Sequence, residues 1–244
     1  MIKKIWFLLS IALIIGFTAN AEEKSRKFES SLSLGITYTD GNSENLLFNA
    51  ALTTEGEREG LGSIKAGIEG NYGNSRVDEE KETTVKNAKA FLDAKKTISP
   101  KTYGGLDLTA LYDDIAEIDY RLIIAPNLGM YAVKSDKLAL CFEVGPAYVF
   151  EKLDGEDADY FALRLAEECK FQISETAKAW QSAEYLSKAD DFDKYLINAE
   201  LGVEAALNSR LNLRVTLKNR YDNEPSDEKE RNDFQLIAGI NIAL

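Results

Sequence analysis

The chain has 244 residues, a net charge of −12, a sequence pI near 4.7 and no histidine. An acidic chain without a basic stripe is no partner for nucleic acid, whose phosphates need one. Without imidazole there is no Ser-His-Asp triad, no Cys-His pair and no His-ligated zinc, so no catalytic residue and no cofactor is predicted.

Lys3 and Lys4 precede an apolar run from Ile5 to Phe17 and then Ala19-Asn20-Ala21. This is the shape of a signal peptide with a small-x-small cleavage site. A retained anchor is the rival, but the run falls short of the roughly 20 apolar residues that cross a bilayer. Residues 1–21 are therefore expected to be removed on export, leaving 22–244 as one domain. No cysteine follows the cleavage site, so no lipid anchor is expected there.

From residue 28 the pattern is alternation with a period of two, broken by turn residues every ten or so positions, which is the signature of a transmembrane β-barrel. In the first segment Phe28, Leu32, Leu34, Ile36 and Tyr38 oppose Ser31, Ser33, Gly35, Thr37 and Thr39. Strands near 43–55 and 61–73 follow, then a weak one at 82–96, where alanines and lysines blur the faces. After 101–113 and 119–133, the segment 137–152 sets Leu138, Leu140, Phe142, Val144, Tyr148 and Phe150 against Glu143, Gly145 and Ala147. A helix competes for Ala158–Cys169, but Leu163 and Leu165 with Arg164 between them favour a strand at 159–173. A second weak strand, 175–187, precedes 193–206. The clearest alternation comes last, at 210–222 (Leu211, Leu213, Val215 and Leu217 against Asn212, Arg214, Thr216 and Lys218) and 232–244, where Ile237 alone breaks it. The prediction is all-β: an antiparallel transmembrane barrel of about twelve strands. An even count leaves both termini on the periplasmic side.

Short turns at Ser99-Pro100-Lys101, Lys134-Ser135-Asp136, Ser174-Glu175-Thr176 and Asn208-Ser209-Arg210 alternate with longer connections, expected outside, at 74–82, 113–119, 152–159, 188–193 and 222–233. The tight first hairpin, Asp40-Gly41-Asn42, is the exception. With residues 40–44, the outer connections hold 23 Asp and Glu against six Lys and Arg. Such loops could bind Ca²⁺ or Mg²⁺ and bridge to lipopolysaccharide, although a hydrated acidic rim explains them as well, and no metal ligand is assigned.

The polar faces carry charges of both signs: Glu69, Asp107, Arg121, Glu143, Arg164, Glu200, Glu204, Arg214, Lys218 and Arg220, with Glu168, Lys170 and Glu184. An Arg or Lys facing lipid at mid-bilayer costs roughly 2–4 kcal/mol, so these residues are expected to face the lumen. A twelve-stranded interior lies between the filled eight-stranded barrel and the open sixteen-stranded porin, and a filled or narrow lumen is expected. Aromatics form two expected girdles: Tyr38, Tyr72, Tyr112, Tyr120, Tyr148, Tyr160, Tyr185, Tyr195 and Tyr221 outside, and Phe28, Tyr103, Tyr131 and Phe171 inside. Cys141 and Cys169 fall near one another across the turn at Asp154-Gly155-Glu156, yet on faces of different character, so two free thiols are expected.

Several stretches together resemble the family of salt-induced outer membrane proteins, a domain family of unknown function. They are Tyr38-Thr39-Asp40-Gly41-Asn42-Ser43-Glu44, Asp119-Tyr120-Arg121-Leu122 running into Pro126-Asn127-Leu128-Gly129-Met130-Tyr131, Gly145-Pro146-Ala147-Tyr148-Val149, and Tyr221-Asp222-Asn223-Glu224-Pro225 with Asp233. The resemblance implies an outer-membrane barrel linked to salt, with no substrate or catalytic residue to carry over. The expected function is a structural or narrow-channel envelope protein, not an enzyme. Its expected partners are outer-membrane lipid and lipopolysaccharide, the barrel-insertion machinery, and divalent cations at the acidic loops. Two other readings compete: a soluble periplasmic β-barrel binding protein with its apolar face inside, and an outer-membrane hydrolase using a loop carboxylate pair.

Overall fold

The computed structural model describes residues 27–39, 44–58, 62–77, 80–226 and 229–244. The expected leader and the hairpin at Asp40-Gly41-Asn42 lie outside the described residues. Twelve strands follow in order: β1 Lys27–Thr39, β2 Glu44–Arg58, β3 Gly62–Val77, β4 Glu80–Thr97, β5 Thr102–Asp113, β6 Ile118–Lys134, β7 Leu138–Leu153, β8 Glu156–Gln172, β9 Ala177–Lys188, β10 Tyr195–Ala206, β11 Leu211–Asp222 and β12 Asn232–Ala243. Each pairs antiparallel with its chain neighbours, and β1 closes on β12 from Ser31↔Ala243 to Gly35↔Gly239. The contested segment 158–169 is strand throughout, as part of β8.

Strand periodicity assigns the faces. Ile36 (68 % exposed), Leu128 (64 %), Phe161 (67 %) and Phe234 (62 %) point outward. Buried apolar side chains are few and mostly small. Ala125, Ala147, Val149, Ala162, Leu186 and Leu196 form one patch on the inner wall of β6 to β10, backed by Ile123 and Tyr160. That is the reverse of what a soluble barrel needs, since its large apolar residues would have to fill the interior. The soluble-core reading is therefore overturned by the direction in which these side chains point.

Several finer expectations change. The connections expected at 74–82 and 152–159 are much shorter, because β3 runs on to Val77, β4 begins at Glu80, and the β7–β8 hairpin turns on Asp154 and Gly155 alone. Polar strand ends outside an apolar belt read like loop in the sequence, yet their backbones keep pairing. Tyr103 leaves the expected inner girdle: it is only 3 % exposed and points inward. Tyr160 likewise packs against the inner patch. Tyr185, Tyr195 and Tyr221 do form a row at adjacent strand ends, with ring centroids 5.4 and 5.9 Å apart. The cysteines are free, and the register explains why. Cys141 lies opposite Glu168 while Leu140 lies opposite Cys169, one residue out of step and so on opposite faces.

Pro126 and Pro146 fall in a stretch where the β6–β7 ladder carries no pairs, between Ile124↔Tyr148 and Leu128↔Val144. Neither proline has an N–H to donate. The strands approach closely there, since a Cβ on Gly145 would lie 2.0 Å from the Pro126 carbonyl oxygen. Gly155 differs: its φ is +81° and nothing lies within 4 Å of a Cβ there. Gly145→Ala should thus cost about 1–3 kcal/mol through overpacking against backbone that cannot yield. Gly155→Ala should cost about 1 kcal/mol, and Gly155→Asn less, because Asn tolerates the left-handed region. Urea unfolding of the detergent-folded protein, followed by heat-modifiable gel migration, checks all three. Equal losses for Ala and Asn at 155 would show that the turn is not held by its backbone angle.

Candidate functional site

Inside the barrel lie two cavities of about 660 and 690 Å³. One opens toward the end where β1 begins and β12 finishes, beside the turns near Ser135 and Gln172. The other opens toward the opposite end, beside Ile115, Ala116 and Lys229. They share a waist of ten residues: Glu69, Asp93, Asp107, Glu168, Glu184 and Glu200, with Lys89, Lys218, Thr109 and Ser182. Six carboxylates and two lysines meet at this waist, and Arg164 and Lys95 reach in to four of the carboxylates, Asp107, Glu184, Asp93 and Glu168.

The thirteen charged residues singled out in the sequence all border one or both cavities. Glu204 and Arg214 stand in the terminal-end cavity, and Arg121, Glu143, Arg164 and Arg220 in the other. Glu69, Asp107, Glu200 and Lys218 belong to the waist. Strand alternation sends each side chain inward, and the barrel wall then brings distant strands within reach of one another.

Two groups of ion pairs result. In the first, the Arg164 guanidinium on β8 contacts Glu143 of β7 (2.9 Å), Glu184 of β9 (2.6 Å) and Asp107 of β5 (3.2 Å). Lys95 of β4 meets Glu143 at 2.9 Å, with Asp93 and Glu168 further off at 3.5 and 3.8 Å. Tyr103 donates its hydroxyl to Glu143 at 2.8 Å beneath Lys95, whose Nζ lies 5.0 Å from the ring centroid. Asn127 donates to Asp107, leaving its Oδ1 buried without a partner.

The second group crosses the lumen. Lys218 of β11 reaches Glu69 of β3 at 2.5 Å, and Arg121 of β6 reaches Asp222 at the end of β11 at 3.1 Å while holding Glu151 at 2.5 Å. Arg220 of β11 binds Asp113 of β5 at 2.8 Å, although these strands stand six apart either way round the barrel. A chain of contacts this long spans the lumen only because the basic arms on β11 are long. At the same end two described residues between β11 and β12 reach the β5–β6 connection: Lys229 pairs with Glu117 at 2.9 Å and Ser226 donates to the Ala116 carbonyl at 3.5 Å.

The expected acidic loops are partly neutralised by strand-end lysines, through Lys86 with Asp114 and Lys194 with Glu224. The Tyr112 hydroxyl, and then Lys86, hold the Asp114 carboxyl below its ordinary range. Among the described residues no group of three or more Asp, Glu or Cys side chains is arranged to hold a metal ion.

Sequence reading missed Lys89, Asp93 and Lys95, all on β4, whose faces were blurred by alternating alanine and lysine. It missed Tyr103 because tyrosine at a strand end reads as girdle. It also missed Glu151 and Asp113, which look like loop acids until Arg121 and Arg220 are seen to reach them. Asp93 and Asp107, directly opposite one another on β4 and β5, could have been found from the register alone.

A closed antiparallel barrel with an apolar outer surface and a charged, water-accessible lumen is the architecture of outer-membrane β-barrel proteins. The chain belongs to the family described as "Protein of unknown function, DUF481", which matches residues 32–243. That description assigns no function. No curated protein matches in sequence. Among solved structures, the NanC porin aligns with a TM-score of 0.50 at 8 % identity, over 88 % of this chain and 97 % of the porin. An outer-membrane channel from Pseudomonas putida F1 aligns with a TM-score of 0.50 at 8 % identity, over 92 % of this chain and 97 % of that one. At such identities the likeness is one of fold.

Removing a shared cation leaves several buried carboxylates uncompensated, which typically costs about 3–5 kcal/mol. Arg164→Met should therefore destabilise the folded barrel by that order, with Arg164→Lys recovering only part, since an ammonium cannot fork between Glu143, Glu184 and Asp107. The deficit should narrow on acidification, because protonation removes the unpaired charges. Urea titrations at two pH values check this, and a deficit independent of pH would overturn the ionic account.

Proposed function

We propose that the protein is a narrow, cation-preferring channel of the outer membrane, with its termini and short turns in the periplasm. The observation that carries the reading is the acidic waist joining two cavities inside a closed barrel. Arg164, Lys95 and Lys170 bind four of the six carboxylates. With these cations counted beside Lys89 and Lys218, and Glu143 counted with the acids, acid is still in excess, which lowers the energy of a cation at the waist and raises that of an anion. The arms of Lys218, Arg220 and Arg121 throttle the passage. The wide apolar outer surface supports residence in a bilayer, and export through the leader at residues 1–21 is part of the same reading.

The lattice also offers a physical route to salt dependence, in keeping with the resemblance noted in the sequence. Added electrolyte screens partly exposed pairs, since the Debye length falls from roughly 10 Å at 0.1 M to 3 Å at 1 M. Lys218 and Arg220, at 29 % and 21 % side-chain exposure, are the crossing arms within reach of that effect. Conductance should then rise with salt more steeply than bulk conductivity does.

Fractionated cells should yield the mature protein in the outer membrane as a heat-modifiable band. In planar bilayers it should give small unitary currents whose reversal potential in a KCl gradient reports cation preference. Lys218→Met combined with Arg220→Gln should raise the unitary conductance roughly twofold or more, toward that of a barrel with an unobstructed section. Glu200→Gln, which neutralises a waist carboxylate at 35 % side-chain exposure, should reduce the preference for cations. A folded barrel that passes no current, in wild type and in the double variant alike, would sink the channel reading and leave a structural role.

A further inference from the structure

The outer face carries one feature that a lipid-bathed monomer does not explain. Strand alternation turns Phe161, Leu163, Leu165, Glu167, Cys169 and Phe171 of β8 outward. Phe161, Leu165 and Phe171 are 67 %, 44 % and 46 % exposed. Glu167 therefore stands in the apolar belt, with apolar side chains toward both ends of its own strand. Directly opposite it on the flanking strands are Phe142 and Ala183. Gln181 of β9 shares this face, because it pairs with the outward Leu201 of β10, and its Nε2 donates to Glu167 Oε1.

A carboxyl group and a primary amide in hydrocarbon have no water to complete their hydrogen bonds. Glu167 can accept several and receives one; Gln181 retains a second N–H and a carbonyl oxygen with no partner among the described residues. The outward neighbours along β9 are the small Ala179 and Ala183, so the pair is open toward the membrane between the flanking Phe142 of β7 and Leu201 of β10.

We propose that this face of β8 and β9 is where a second copy of the same chain docks within the membrane. The geometry favours a copy over any other occupant. Two barrels in one membrane, inserted the same way up, are related by a two-fold axis along the membrane normal. That axis sets β8 of one against β9 of the other. Glu167 of each copy then faces Gln181 of its partner, and the spare amide N–H meets the spare carboxyl oxygen twice over. The contact is self-complementary, as a two-fold interface requires. Because it lies on the outer wall, it stands whether or not the lumen conducts.

Cys169, directly opposite Gln181, lies in the same patch and is a built-in reporter, whereas Cys141 is buried in the lumen. The wild-type barrel is reconstituted in lipid vesicles at low density, treated with a short bis-maleimide and run unheated and heated on a denaturing gel. The expected result is a covalent dimer that persists in Cys141→Ser, disappears in Cys169→Ser, and falls at least fivefold in Glu167→Leu combined with Gln181→Leu. That double variant makes the lipid face more apolar, so it should still fold, and its heat-modifiable shift verifies this. Light scattering in detergent supplies an independent mass. Absence of wild-type dimer by both methods would overturn the proposal, and so would undiminished cross-linking in a folded double variant.

Discussion

Hydrocarbon offers a backbone nothing to hydrogen-bond, and every other property of this barrel follows from meeting that condition. A sheet crossing a bilayer must have no open edge, and here β12 returns to β1 through the ladder that ends at the glycine pair Gly35 and Gly239. Closure leaves two surfaces and no third. Because successive side chains on a strand point to opposite sides, the alternation along each strand becomes a division between a greasy outside and a polar inside. Val149 and Ala125 are among the most deeply buried apolar residues, whereas Phe161 and Ile36 are largely exposed; the usual order of size and burial is inverted.

Charges driven inward meet a second constraint. Within a confined lumen they are partly desolvated, and an unpaired one is costly. The structure meets this with shared partners. Arg164 serves three carboxylates, Glu143 accepts from Arg164, Lys95 and Tyr103, and Arg121 joins Glu151 to Asp222. Sharing also narrows the lumen, since long basic side chains must stretch to reach acids on remote strands. The same lattice that neutralises the interior thus shapes whatever passage it leaves. Acids outnumber bases at the waist even when Arg164, Lys95 and Lys170 are counted with its two lysines.

The family to which the chain belongs carries no assigned function, and the fold is shared with porins and channels at identities too low to transfer a substrate. Mechanism therefore has to come from the lumen itself. The side chains there differ between the two sides of the barrel. The β6 to β10 wall carries the buried apolar patch around Val149, while the β3, β4 and β11 walls present mainly polar and charged side chains to the open space. The crossing arms come mainly from β11, where the alternation of apolar with Arg and Lys is cleanest. On the outer wall the polar pair Glu167 and Gln181 stands in the apolar belt, on the face opposite to the charged lattice.

Much of this architecture is legible in the amino-acid sequence. The period of two, the turn spacing and the even strand count determine twelve antiparallel strands, because each is a local property of the chain. The inward charges are legible for the same reason: a residue's face follows from its neighbours two positions away. What the linear pattern does not contain is which inward residues meet, since Arg220 with Asp113, or Lys218 with Glu69, depends on barrel closure and on how far a side chain reaches across it. Nor does it separate Tyr103, which caps a buried carboxylate, from tyrosines that mark the membrane interface. The sequence by itself determined the faces; only the tertiary structure decided the pairings, because ion pairs across a lumen join residues whose separation along the chain carries no period.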